Sequence, residues 1–116
     1  MPKIYHLSTC TTCQRILTEI DAPARGFDLQ DIKTENITAA QLDELKEKAG
    51  SYEALFSRRA LKYKEWGLKD KALTENDYRD LILKEYTFLK RPVVVAGGKV
   101  FIGSDKKTVE ELKTKI

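Results

Sequence analysis

Apolar and polar residues change rhythm three times along the chain. At the start, Lys3-Ile4-Tyr5-His6-Leu7 is short and rich in β-forming residues, and Ser8-Thr9 closes it with hydroxyls suited to a turn or helix cap. Ile16, Leu17 and Ile20 then fall at i, i+1 and i+4, which predicts a helix from near Thr12 to just before Pro23. Gly26-Phe27-Asp28-Leu29-Gln30-Asp31-Ile32 alternates apolar and polar positions, as a strand with one buried face does. The opening thus reads as a βαβ unit.

The middle of the chain has a helical period and no convincing strand. Leu42 and Leu45 follow the candidate cap Thr38, and Gly50-Ser51 breaks the pattern. A second helix is expected from Tyr52 to Trp66, ending at Gly67, and a third from Thr74, with Asp77 in its first turn and Tyr78, Leu81, Ile82 and Glu85 along it. Together these predict a helical insertion over about 36–88. The chain then returns to β: Pro92 precedes Val93-Val94-Val95-Ala96, Gly97-Gly98 supplies a two-residue hairpin turn into Lys99-Val100-Phe101-Ile102, and Gly103-Ser104-Asp105 leads to a last helix carrying Val109, Leu112 and Ile116. The order implies an α/β fold, a four-stranded mixed sheet with flanking helices, as a single domain over 1–116. Ile4, Leu7, Ile16, Leu17, Ile20, Phe27, Leu29, Val93, Val95, Val100, Ile102, Val109 and Leu112 are the expected main core, with Leu42, Leu45, Leu55, Phe56 and Leu81 sealing the insertion.

Composition narrows the function. The 116 residues carry 21 basic and 18 acidic side chains for a net charge of +3, and 41% of residues are hydrophobic against 34% charged. That is one soluble domain with enough core to hold without disulfides, so its two cysteines are free for chemistry. Basic and acidic residues alternate, as in Lys69-Asp70-Lys71, which argues against direct nucleic-acid binding. No apolar run approaches the roughly 20 residues of a membrane span, and the amino terminus lacks a signal-like apolar stretch. A cytoplasmic monomer with no membrane contact is expected.

In a reducing compartment a close cysteine pair points to redox or metal chemistry. Cys10-Thr11-Thr12-Cys13 lies between the first predicted strand and helix, where unpaired N–H groups and the helix dipole favour a thiolate. Cys10, nearest the helix start, is the expected nucleophile, and Cys13, one turn in, the resolving thiol. A zinc site normally needs four ligands, and two cysteines with one histidine do not supply them, so no metal is expected. His6 either brings an imidazolium toward Cys10 or points to the opposite face of its strand. Arg91-Pro92 heads the strongest strand; X-Pro bonds are the ones that readily become cis. The pattern resembles the thioredoxin architecture, in which a cis-proline loop faces the thiol loop, and this resemblance would aim Arg91 at Cys10.

Over nearly its whole length the chain resembles the arsenate reductase (ArsC) and Spx-like group of thioredoxin-fold proteins. The residues carrying the resemblance are Tyr5-His6, Cys10, Leu55-Phe56-Ser57-Arg58-Arg59, Tyr63 to Leu68, Leu89 to Val95, and Phe101-Ile102-Gly103. It implies that Cys10 does the chemistry and that arginines hold an oxyanion. Arg91 matches the arginine before the proline, Arg59 or its neighbour Arg58 the arginine of the insertion, and Ser104 stands where a third is expected. His6 and Pro92 complete the implied substrate site. The implied activity is thiol-dependent reduction of an oxyanion or disulfide, with no bound cofactor, with glutathione or thioredoxin as reductant, and with glutaredoxin or thioredoxin as protein partner. Cys13 fits the Spx-like branch, whose regulators use the pair as an oxidation switch, and Gly50 resembles the glycine through which those regulators touch the RNA polymerase α subunit. Gly50 serves equally as a helix C-cap.

Overall fold

The structure, a computed structural model, describes residues 3–22 and 25–115. The predicted positions at Pro23 and Ile116 lie outside them. Four strands, β1 (Lys3–His6), β2 (Asp28–Asp31), β3 (Val93–Ala96) and β4 (Lys99–Ile102), form one sheet in the order β2-β1-β3-β4. β1 pairs parallel to β2 and antiparallel to β3, and β3 pairs antiparallel to β4 across the Gly97-Gly98 turn. Both turn glycines adopt positive φ, 58° and 77°, the left-handed backbone of a tight two-residue hairpin. With helices α1 (Thr11–Glu19) and α5 (Lys106–Lys115), the fold is α/β and thioredoxin-like.

Two compact units are distinguished along the chain, one from Met1–Asn36 with Arg91–Ile116 and one from Ile37–Lys90. The first is organised around a core of Ile4, Ile16, Leu17, Ile20, Ala22, Phe27, Val94, Ala96, Phe101, Val109 and Leu112. The stripe read from the sequence in α1 therefore packs as a helical face, while part of the strand assignment is corrected. Leu29 is 37% exposed, and its neighbour Gln30 is buried. β2 is an edge strand, so a side chain on its core-facing side can still meet solvent. Val95, Val100 and Ile102 are only partly buried, whereas Val94, Ala96 and Phe101 enter the cluster beside Ile4. Val93 is fully buried as well. A run that is apolar on both faces has no phase by which sequence can tell inside from outside.

The second unit contains α2 (Ala39–Ala49), α3 (Leu61–Glu65) and α4 (Glu75–Lys84), with short 3-10 turns at Glu53–Leu55 and Leu68–Asp70 between them and another at Tyr86–Phe88 after α4. Thr38 and Thr74 close the N-termini of α2 and α4 with full capping boxes, through Gln41 and Asp77. Leu42, Leu45, Leu55 and Phe56 are buried, and Leu81 only partly so. Phe56 stacks on Phe88 at 5.0 Å and meets Tyr78 at 4.8 Å. The expected helix from Tyr52 to Trp66 is replaced by a 3-10 turn at Glu53–Leu55, extended backbone, and then α3. Phe56 and Leu89 form a β-bridge there, flanked by the bonds from Ser57 N–H to Phe88 O (2.6 Å) and from Lys90 N–H to Leu55 O (2.8 Å). These long-range bonds satisfy backbone groups that a continuous helix would have paired locally.

Candidate active site

Cys10 is the N-cap of α1. Its φ and ψ of −91° and 109° are extended, and its carbonyl accepts the first helical bond, from Gln14 N–H at 3.1 Å. The loop before it is a turn, closed by Cys10 N–H donating to Leu7 O at 3.0 Å. A neutral thiol is a weak acceptor, and Cys10 makes no side-chain capping bond. Ionisation changes this, because a sulfur anion at the start of a helix faces N–H groups that have no partner within the helix.

The electrostatics of the two thiols diverge. Partial burial pushes the Cys10 thiol up, but the backbone N–H of Cys13, the Cys13 thiol and the Arg91 guanidinium, by hydrogen bonding and by charge, together bring it below the ordinary thiol value. Cys13 is fully buried, and burial, reinforced by the neighbouring Cys10 sulfur, raises its thiol to about 12 against the favourable influence of the Leu7 backbone and Arg91. At neutral pH the pair is thus an activated, partly exposed sulfur beside a shielded, protonated one. Both thiols are free.

Arg91 reaches Cys10 from the approach to β3. The Arg91–Pro92 peptide is cis, Pro92 is buried, and its carbonyl accepts Gly103 N–H at 3.0 Å, tying this segment to the end of β4. Ser104, partly buried, follows Gly103.

His6 takes a different place from an imidazolium at the sulfur. It alternates with Tyr5, so its side chain shares the face of Ile4, where it lies opposite Asp31 in register and 3.5 Å from the Gln14 amide nitrogen. Burial lowers its pKa, with Asp31 acting against that, so the ring is neutral at neutral pH. The cation that acts on Cys10 is therefore Arg91.

The arginine pair of the insertion divides. Arg58 is committed within its own unit, to Glu53 at 2.7 Å and the Tyr78 hydroxyl at 2.9 Å. Arg59 is exposed and makes no hydrogen bond or ion pair among the described residues. Gly50 caps α2 with a left-handed φ of 97°, its N–H bonded to Lys46 O, a position where a glycine relieves strain.

Three residues around the thiol loop, Ser8, Asp31 and Gln14, are not among the site residues expected from sequence. Ser8 donates its N–H to Asp31 Oδ1 at 3.2 Å, Asp31 also accepts Lys33 N–H at 3.1 Å, and Gln14 Nε2 donates to Leu7 O at 3.2 Å. The Ser8 hydroxyl, then the Lys33 and Ser8 N–H groups and, at the acid pH where His6 is protonated, the imidazolium, hold Asp31 below the usual carboxylate range despite a desolvation penalty. An aspartate that ends a strand and turns back on the N–H two residues later is the one local signal for this site. Among the described residues no three His, Cys, Asp or Glu side chains gather to hold a metal ion, and no helix is long and apolar enough to cross a membrane.

The chain matches the ArsC family over residues 5–112. It is 26% identical over 110 residues to the uncharacterized protein YusI of Bacillus subtilis, covering 92% of this chain and 93% of that one. A solved structure described as a possible arsenate reductase from Streptococcus mutans is 29% identical, with a TM-score of 0.77 and 97% of both chains covered. The arsenate reductase from Vibrio cholerae, at 18% identity, shares the fold with a TM-score of 0.79 over 99% of this chain and 97% of its own. With an activated cysteine at the head of α1 and a family match spanning nearly its whole length, this chain belongs to the ArsC family of thioredoxin-fold, thiol-dependent reductase-like proteins.

Proposed function

We propose that this protein reduces an oxyanion or disulfide substrate by two electrons, with Cys10 as nucleophile and Cys13 as resolving thiol. The opposite displacement of the two thiols carries the reading, because an attacking sulfur must be ionised while a resolving one keeps its proton until needed. With a disulfide, the Cys10 thiolate bonds to one substrate sulfur and the other leaves as a thiolate. Cys13 then loses its proton and attacks the Cys10 sulfur, expelling the second thiolate and leaving a Cys10–Cys13 disulfide. With an oxyanion, Cys10 displaces hydroxide from the oxidised centre; attack of Cys13 on the Cys10 sulfur then returns the bonding pair to that centre, now reduced. In both cases an external thiol, glutathione or thioredoxin, reduces the internal disulfide.

Once Cys10 is bonded, the negative sulfur that disfavours ionisation of Cys13 is gone and Arg91 remains. The guanidinium that first stabilises the nucleophile is thereby available to its partner, and to an anionic substrate. Of the insertion pair, Arg58 is already engaged within its own unit, which leaves Arg59 as the arginine of that pair open to an anion; His6 and Pro92 stay in the proposed substrate site.

The test is iodoacetamide alkylation of each thiol against pH, followed by NADPH oxidation coupled to glutathione and glutaredoxin, or to thioredoxin, with arsenate and with glutathione disulfide. Cys10 should ionise below the free-thiol value of about 8.5 and turnover should need it. A Cys10 that titrates at its free value, or turnover that survives Cys10→Ser, overturns the reading. Turnover surviving in Cys13→Ser would mean that the external thiol resolves the intermediate.

A further inference from the structure

Ser8 and Thr9, which lead into the nucleophile, are both exposed, so hydrophobic burial does not fix the path of this segment. Polar bonds hold it instead. The Leu7 carbonyl is gripped from within, by Cys10 N–H and Gln14 Nε2. Ser8 is gripped from outside, by a carboxylate that arrives 23 residues later at the end of the edge strand. Asp31 is itself fixed by Lys33 N–H and by strand pairing in register with His6, whose carbonyl accepts Ile32 N–H at 2.9 Å. The anchor therefore stands on the sheet rather than on another loop.

We propose that Asp31 is a positioning residue for Cys10: its carboxylate clamps Ser8 and so sets where the sulfur sits relative to the Cys13 N–H and Arg91. This rests on the reading of Cys10 as the nucleophile. Asp31 is not among the groups acting on the Cys10 sulfur, so it works through the loop's geometry rather than its charge. Asp31 is also held below the usual carboxylate range, chiefly by the Ser8 hydroxyl, so the clamp stays ionised wherever Cys10 titrates.

The experiment uses the full chain and compares wild type, Asp31→Ala, Asp31→Asn and Ser8→Ala, each checked for native circular dichroism. The readout is the pH midpoint and plateau rate of Cys10 alkylation by iodoacetamide, with the modified cysteine assigned by mass spectrometry. Asp31→Ala should move the midpoint up by about half a unit, slowing alkylation at pH 7 about threefold. Asp31→Asn keeps an acceptor oxygen for Ser8 N–H and should recover most of the loss; Ser8→Ala, which removes the hydroxyl alone, should give a smaller shift of the same sign. An unmoved midpoint in a folded Asp31→Ala protein overturns the proposal, as does an Asn variant as impaired as Ala. Should Asp31→Ala fail to fold, the Ser8→Ala midpoint decides: upward supports the clamp, unmoved refutes it. A wild-type midpoint at the free-thiol value would instead overturn the nucleophile assignment itself.

Discussion

Two kinds of helix beginning occur in this molecule. At α2 and α4 a threonine hydroxyl accepts the N–H three residues on, and the side chain of that third residue returns the bond. At α1 the equivalent position is a cysteine that makes no capping bond. Hydroxyl caps satisfy orphan donors and add stability; a sulfur leaves those donors facing outward, where they favour an anion. The same local geometry thus serves structure in one place and reactivity in the other, and one side-chain atom makes the difference.

Exchanging that atom is the most severe way to break the contrast. Cys10→Ser should abolish thiol alkylation at this position while leaving the fold intact, and serine's better capping should stabilise the protein by up to about 1 kcal/mol in urea unfolding. Loss of stability by several kcal/mol would show that Cys10 is a packing residue. Next comes Arg91→Ala, which removes the cation that sets α1 apart from the capped helices. Alkylation of Cys10 at pH 7 should slow about tenfold, with its pH profile displaced upward.

Thr38→Ala and Thr74→Ala probe the other side of the comparison. Each should cost about 0.5–2 kcal/mol in chemical denaturation and leave the Cys10 profile unmoved. The smallest effect concerns acid stability in the unit of the capped helices. Arg79 at 2.8 Å, with the Tyr52 hydroxyl, holds Asp43 down to about 2 from its ordinary 3.8. A carboxylate so depressed adds stability above its unfolded pKa, and the gain fades as pH falls from about 4 to about 2. Asp43→Asn should therefore flatten the fall in melting temperature between pH 4 and pH 2, and an unchanged slope would mean the exposed pair contributes nothing measurable.

Where bonding is local, the sequence is a good guide to this structure. The caps at Thr38 and Thr74, the Gly97-Gly98 hairpin and the placing of Cys10 at a helix start all follow from residues within one turn of each other. What escapes it depends on distant partners. Phe56 leaves a helical pattern because it pairs with Leu89, and Leu29 is exposed because β2 has no outer neighbour. At the site, nearness along the chain singled out His6, yet its strand face turns it to Asp31 and Gln14. The link between Ser8 and Asp31 escapes the sequence for the same reason: it is made only when β2 lies beside β1.

The sheet order carries a consequence for how the sulfur is activated. The central strand β1 takes β3, remote from it in sequence, as its second partner, and Arg91 comes to Cys10 at the head of that strand. One part of the activation, the Cys13 N–H, is local to the start of α1, whereas the guanidinium's part is tied to closure of the sheet.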